Sequence, residues 1–465
     1  MASSSTQVQL QETQLRGAVP LYRTESLCSK CFGKVSGEIS EENGRIFLEK
    51  DCVPCGVHER CLVENDADFF RRTIDSFPPE SDPAQARVED LGKVSSHAIG
   101  FFVTPRCNAN CSVCIARDFM CESSITRKKQ LTVAEIKSVI ERASLRGKEI
   151  LLVGGEPTIH KDFLEIVETF RESGNFVVLY TNGKRLASRP FVKKMKAARI
   201  SLVNLSFDSL NGSAYVKMKG KNLLKAKLSA FENLRAEGIP TCLVATIAKG
   251  VNDGEVSGIL DFAAKNGAAR VMFHPMKPYG KLKIKHDWLL TSSDIIKLLE
   301  AQTEGRVKSS DFESLLRTRR LALDCIERLF GRDAARKFAW GRGYSILLKV
   351  DEKGFYTPLF TESFLNSVSK GLEGFLKGRN GMTALISAFP ILFENENRKV
   401  LVSLLGSGFD RIAGIYKSLD RRDMLQLHIA DISTQHNVDY SRQVDVYEYS
   451  KTPEGRELLG HTYPT

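Results

Sequence analysis

The chain has 465 residues, too many for one ordinary hydrophobic core, so two or three domains are expected. A composition of 42% hydrophobic and 26% charged residues is that of a soluble globular protein, and no apolar run is long enough to span a bilayer; the nearest, "MTALISAFPILF" (382–393), is short and interrupted by Pro390. The net charge of +11 permits an anionic partner, but the basic residues are scattered, as on a solvated surface.

Residues 1–20 carry no charged segment leading into an apolar stretch. They are expected to be a disordered lead rather than a secretory signal, which places the protein in the cytoplasm. Residues 21–65 hold Cys28-x2-Cys31 and Cys52-x2-Cys55 on either side of "KVSGEISEENGRIFLEK", whose "ENG" predicts a hairpin turn. Four thiolates so spaced can meet at one tetrahedral metal, zinc or a single rubredoxin-type iron. His58 and Cys61 follow at ligand-like offsets, but the four cysteines are the preferred set. A linker (66–94) containing "SFPPESDPAQ" comes next.

From 95 to 290, six apolar runs alternate with amphipathic helical patterns: "HAIGFFVT", "EILLVGGEP", "NFVVLYTNG", "ISLVNLSFD", "TCLVATIA" and "ARVMFHPM". Alternating βα units predict a parallel sheet, either a partial barrel or an open doubly wound sheet. Six units fall short of the eight of a closed barrel. After the first run, Cys107, Cys111 and Cys114 have three and then two residues between them, with no fourth cysteine at ferredoxin spacing. Three thiolates can hold three irons of a four-iron cubane and leave the fourth to a ligand from outside the protein. A three-cysteine zinc site with a remote ligand is the alternative. Small polar residues close the next three runs: Gly154, Gly155, Glu156 and Pro157, then Thr181 and Asn182, then Ser206 and Asp208. Ligands of α/β sheets bind at such C-terminal strand ends.

This motif set resembles the radical S-adenosylmethionine (radical SAM) superfamily over about 95–290. The resemblance implies an α/β fold: a partial (β/α)6 barrel with a small N-terminal metal-binding hairpin module and a mainly helical C-terminal region. It implies that Cys107, Cys111 and Cys114 bind a [4Fe–4S] cluster and that Gly154, Gly155, Glu156 and Pro157 receive the methionyl amino group of SAM. Thr181 and Asn182 would add cofactor contacts, Ser206 and Asp208 would contact the ribose or carboxylate, and "KGVND" (249–253) and "FHP" (273–275) the adenosine. Val113 stands where most of the superfamily has an aromatic residue. The implied chemistry is reductive cleavage of SAM to methionine and a 5′-deoxyadenosyl radical, which takes hydrogen from a substrate carbon. Its partners would be a small-molecule or lipid-like substrate and an electron donor such as flavodoxin or ferredoxin; a lipid would bring peripheral membrane contact.

A narrower resemblance, over about 24–312, is to the tetraether-lipid-synthase-like branch with its folate-dependent pterin methylases. It rests on "SLCSKC", "FLEKDCVPCG" and "YVKMKGKNLLKAKLSAFENLRAEGIPTCLVATIAKGVND". Methylation and carbon–carbon bond formation both remain open. The branch carries cysteines for auxiliary clusters in its tail, whereas the last cysteine here is Cys325. Such a cluster, and lipid-chain coupling that depends on it, are not expected. The competing class is a non-catalytic zinc protein that binds nucleic acid. It leaves "GGEP" unexplained and lacks basic residues interleaved with aromatics, so nucleic acid is not an expected partner. Residues 291–465 are expected to be mainly helical and to cap the barrel mouth over the substrate. Tyr180, Tyr279, His274, His428 and His436 lie near strand ends or in the tail, where ordinary packing is the plainer expectation.

Overall fold

The computed structural model describes residues 18–28, 30–31, 33–74, 88–90, 98–114, 129–277, 286–331, 343–378, 423–429, 447–451 and 457–461. The lead up to residue 17, most of the 66–94 linker, the 382–393 stretch, Tyr279 and His436 lie outside the described residues.

The N-terminal module is an antiparallel four-stranded sheet: β1 (Val19–Leu27), β2 (Lys34–Glu42), β3 (Arg45–Cys52) and β4 (Val57–Glu64), paired in sequence order. The predicted hairpin joins β2 to β3 through Asn43 and Gly44, both at positive φ (51° and 73°). That is the backbone a two-residue hairpin turn needs to match strand twist. Helix α1 (Ala67–Ile74) seals the sheet, with Ala67 and Phe70 packed on Ile39, Ile46 and Leu48.

The six predicted strands form the core: β5 (Ala98–Thr104), β6 (Glu149–Gly154), β7 (Phe176–Thr181), β8 (Leu202–Ser206), β9 (Thr241–Ile247) and β10 (Arg270–Pro275). All are parallel and paired in sequence order. Between them lie α2 (Val133–Ala143), α3 (Phe163–Glu172), α4 (Arg189–Ala197), α5 (Gly212–Lys219), α6 (Leu224–Ala236) and α7 (Val256–Asn266). The α2 start is fixed by a capping box in which Thr132 accepts from the Glu135 N–H and Glu135 accepts from the Thr132 N–H.

Alternation along the strands separates two faces. Ile150, Leu152, Val177, Leu179, Val203, Leu205, Leu243 and Val271 pack in one cluster with helix residues such as Val139, Ile166, Met195, Leu234 and Ile259. The other face carries Leu151, Val178, Leu202, Cys242 and Met272, joined by Val153, Tyr180 and Val244 and by no helix residue among those described. Helices on one side only define a partial barrel with an inner face, not a doubly wound sheet.

Beyond the core lie three helices, α8 (Ser292–Gln302), α9 (Ser309–Phe330) and α10 (Glu362–Leu376), so helix dominates the described part of this region. It also supplies five strands: β11 (Tyr344–Val350), β12 (Tyr356–Pro358), β13 (Met424–Ile429), β14 (Tyr447–Lys451) and β15 (Glu457–His461). Of these, β11 lies on the apolar run "YSILLKV". Strand β13 pairs in parallel with β10 and β14 in parallel with β5, giving an eleven-stranded sheet. Both edges of the six-stranded core are thereby covered, so their backbone groups do not stand open to foreign strands. The N-terminal module is moored on this assembly. Asn65 donates to Asp294 (2.6 Å), Ser293 to buried Glu64 (2.6 Å), Lys297 pairs with Asp66 (2.7 Å), and the Phe69 and Tyr344 rings meet at 5.0 Å.

Candidate active site and metal centre

Cys28, Cys31, Cys52 and Cys55 bring their sulfurs to within 4.8 Å of one another, the one such group among the described residues. The second knuckle turns through Gly56 in the left-handed region (φ 60°), and the Cys28 sulfur accepts from the Lys30 N–H at 3.4 Å. Burial pushes the Cys28 thiol up, but the Cys31 and Lys30 N–H groups, with the neighbouring sulfurs, outweigh it and bring the thiol down to about 7. Cys52 is pushed up by burial, and Cys55 to about 12 by the Cys31 and Cys52 sulfurs beside it, so a bound cation is what would hold the group as thiolates. His58 turns to the surface and pairs with Asp51 (2.8 Å), and Cys61 stays outside the group, its thiol pushed up to about 11 by burial. The four-cysteine set is therefore the one the fold assembles. Cys52→Ser is expected to lose the metal of this module and to expose residues 18–64 to protease, because binding energy in a small closed site is folding energy. Metal analysis with limited proteolysis checks this; full zinc content in the variant would exclude Cys52 as a ligand.

The three core cysteines follow β5 at the C-terminal edge of the sheet. Their loop docks on the end of α5, where Ser112 Oγ donates to the Met218 carbonyl (2.6 Å) and the Val113 N–H to the same oxygen (3.3 Å). Val113 also packs with Met218, Ala248 and Met276, so the position without an aromatic ring is filled by aliphatic contacts. On its other side the loop lies against "GGEP". The Gly155 N–H donates to the Thr104 carbonyl and the Glu156 N–H to the Arg106 carbonyl, both at 2.8 Å. A Cβ on Gly154 or Gly155 would overlap the backbone oxygen of Thr104 or Arg106, and Gly154 has φ +138°. Both glycines thus serve the close approach of two backbones.

Glu156 is buried, and its carboxylate ties the ends of β6 and β7 together. One carboxylate oxygen accepts from Thr158 N–H (3.2 Å), Thr158 Oγ1 (2.5 Å) and Thr181 Oγ1 (2.7 Å), and the other from the Asn182 N–H (2.7 Å). Pro157 opens the short helical turn that follows. The Asn182 side chain donates to Asn108 Oδ1 (2.8 Å) and lies 3.9 Å from the Cys107 sulfur, which the Ala109 N–H also approaches (3.4 Å). Asp208 is buried with Ser206 Oγ at 3.3 Å, the Thr246 N–H at 3.2 Å and Lys219 Nζ at 3.5 Å. The fold therefore gathers the cysteine loop, Glu156, Thr181, Asn182, Ser206 and Asp208 at one end of the barrel.

Several residues of this end have roles that the sequence motifs containing them did not announce. Lys227 is buried and donates to the Asn182 carbonyl at 2.7 Å; burial brings its amine down to about 8. Burial acts the same way on Lys219, but Asp208 and then Cys111 and Cys114 outweigh it and hold the ammonium above its ordinary value. Both lysines sit in a run, "KMKGKNLLKAK", that reads as a solvated basic stretch. Asn252, from "KGVND", is a brace. It donates to the Asp208 and Thr246 carbonyls (2.6 and 2.9 Å) and accepts from the Ala248 N–H (2.8 Å).

The donor set fits an iron–sulfur cluster. Three soft thiol ligands share one short loop, none of them in a disulfide, and can take three corners of a cubane. N–H groups approach the Cys107 sulfur, and the half-buried Lys219 ammonium is near enough to act electrostatically with Cys111 and Cys114. A one-sided parallel barrel with such a loop behind its first strand defines a radical SAM domain, and residues 101–263 match the radical SAM superfamily model. Residues 20–64 match the HMPTM N-terminal zinc ribbon domain, so the protein is a radical SAM enzyme that carries an N-terminal zinc ribbon.

Among named relatives, the 7,8-dihydro-6-hydroxymethylpterin dimethyltransferase of Methanocaldococcus jannaschii is 28% identical, over 95% of this chain and 93% of its own. A probable GTP 3′,8-cyclase of Thermococcus kodakarensis is 31% identical over 38% of this chain, and the Fe-coproporphyrin III synthase of Methanosarcina barkeri 31% over 41%. This chain spans 62% and 49% of the length of those two proteins. No described helix is long and apolar enough to cross a membrane.

Proposed function

We propose that this enzyme methylates a reduced pterin or a closely similar nitrogen heterocycle. The observation that carries this reading is the extent of the likeness to the pterin dimethyltransferase, which runs through ribbon, core and C-terminal region and covers 95% of the chain. When bound, the [4Fe–4S] cluster and SAM supply a one-electron cleavage that yields a radical able to activate a C–H bond. Cys107, Cys111 and Cys114 hold the cluster, and the Asn182 amide restrains Cys107. Glu156 keeps the second and third strand ends in register, so the edge facing SAM is preorganised. Asp208, neutralised by Lys219, offers its position beside Ser206 to the ribose or carboxylate of SAM. The electron comes from a small carrier such as flavodoxin or ferredoxin.

The test is anaerobic reconstitution with iron and sulfide, followed by SAM labelled on its methyl group, a reduced folate carrying an unlabelled one-carbon unit as the alternative methyl source, a strong reductant and 7,8-dihydro-6-hydroxymethylpterin. The wild type should form 5′-deoxyadenosine and a pterin heavier by one or two methyl groups; the label reports whether SAM is the methyl source. The variant carrying Cys107→Ala, Cys111→Ala and Cys114→Ala should form neither. SAM cleavage with an unchanged pterin would overturn the substrate assignment.

A further inference from the structure

Three described histidines are more than nine-tenths buried or lie in the interior, and two of them are fully engaged. His160 shares Nε2 with the Leu131 carbonyl (2.8 Å) and accepts at Nδ1 from the Asp162 N–H (3.0 Å). His428, on β13, meets Ser345 Oγ at 2.5 Å through Nδ1. Its Nε2 edge is covered by the backbone at Gly343, where a Cβ would come within 2.9 Å of that nitrogen. His274 differs. It is 8% exposed, and its Nε2 has no hydrogen-bond partner among the described residues.

Its place in the fold gives that orphan atom a meaning. Along β10, Met272 lies on the inner face, so His274, two residues on, lies on it too, at the C-terminal end where the cofactor residues gather. In register it stands beside Thr246, and Asp208 is near enough to act on its ring. A buried polar atom without a partner is costly, roughly 1–3 kcal/mol, and native proteins rarely keep one unless a ligand or water meets it. Deeper on the same face, Asn204 has a second buried oxygen, Oδ1, with no partner among the described residues, at 2% exposure. A lipid tail lying along this face would satisfy neither atom. The charges closest to His274, Asp208 and Lys277, are of opposite sign, and burial depresses the imidazole to about 4, so it stands neutral. Its neighbours Met272 and Val244 are apolar. An anionic group placed here would meet a neutral imidazole and the buried Asp208 carboxylate, so His274 itself would give it no counter-charge.

We propose that His274 contacts the substrate directly, its Nε2 hydrogen-bonding a polar ring atom of an uncharged nitrogen heterocycle held on the inner face beside the cofactor. The inference rests on the pterin reading, replaces the adenosine contact that the resemblance implied for residue 274 with a substrate contact, and adds the residue and the charge state that select the ligand. It separates a neutral heterocycle from a nucleoside triphosphate or a lipid.

The experiment measures equilibrium binding to the full-length reconstituted protein, with 6-hydroxymethylpterin followed by its fluorescence, and with GTP and SAM in separate titrations. The wild type should bind the pterin and show no comparable affinity for GTP. His274→Leu should weaken pterin binding about tenfold or more while SAM affinity stays within about twofold, and His274→Gln, which keeps a donor and an acceptor, should recover most of the loss. Thermal melts of both variants establish that they fold, and the glutamine variant decides the matter if leucine disrupts packing. Parallel loss of SAM and pterin binding would make His274 a cofactor contact and overturn the proposal. Unchanged pterin binding in His274→Leu would overturn it as well, and if that variant still methylates the pterin the proposed function survives. A wild type that cleaves SAM yet binds no pterin would remove the heterocycle assignment and the role of His274 together.

Discussion

Gly155→Ala is expected to strip the core of its iron while leaving the metal of the ribbon in place. The new Cβ would overlap the Arg106 carbonyl oxygen and sit 2.7 Å from its carbon and 2.8 Å from the Pro105 oxygen. All three are backbone atoms, so no rotamer change can relieve the contact. The chain on either side is pinned by the Gly155 N–H to Thr104 and the Glu156 N–H to Arg106. The strand end and the cysteine loop must therefore separate, and Cys107, the next residue after Arg106, moves with the loop. A cluster site tolerates little displacement, because ligand geometry and surrounding hydrogen bonds together set affinity. Iron and sulfide per chain should fall about tenfold or more after reconstitution, with loss of the brown colour, while zinc stays near one per chain. Elemental analysis of the purified variant checks this. A full complement of iron would show that the loop can shift without cost and that the glycine is not needed for the approach.

Glu156→Ala is expected to destabilise the barrel as well as weaken SAM binding. Removing the carboxylate frees four donors at a residue that is 1% exposed. The two threonine hydroxyls can rotate to other acceptors, but the Thr158 and Asn182 N–H groups cannot. Two stranded backbone donors cost roughly 2–6 kcal/mol together. On a domain of this size that is a fall in melting temperature of about 5–15 °C. Glu156→Gln should lie between, since its amide keeps an acceptor for one side and sets an N–H against the Asn182 N–H on the other. Thermal unfolding of the cluster-free protein is the discriminating measurement, because it involves no SAM. A wild-type melting temperature in Glu156→Ala would mean that the carboxylate is held in reserve for a ligand's ammonium group, as the sequence suggested.

Much of the site was legible in the chain because it is local. Cys28, Cys31, Cys52 and Cys55 sit in two short knuckles joined by a hairpin, so covalent spacing brings the sulfurs together once the Asn43–Gly44 turn forms. The six core strands were legible because buried parallel strands are continuous apolar runs with a helix between each pair. That same property hid which architecture they build. With both faces apolar, the pattern cannot tell a sheet covered on two sides from a barrel covered on one.

Other features depend on partners far along the chain. The sequence determined by itself the strands β5–β10, the metal knuckle, the three-cysteine loop and the polar strand ends, since each is written in spacings of a few residues. Only the tertiary structure decided that β13 and β14 close the edges of the core, because their parallel partners, β10 and β5, lie more than a hundred residues away and a six-residue run announces no partner. It alone decided that Lys219 and Lys227 are interior cations, because a lysine's burial is set by which acids and carbonyls surround it and not by its neighbours in sequence. And it alone set His274 apart from His428. Both are histidines at strand ends, and the difference between them is whether another segment of the chain supplies the missing hydrogen bond.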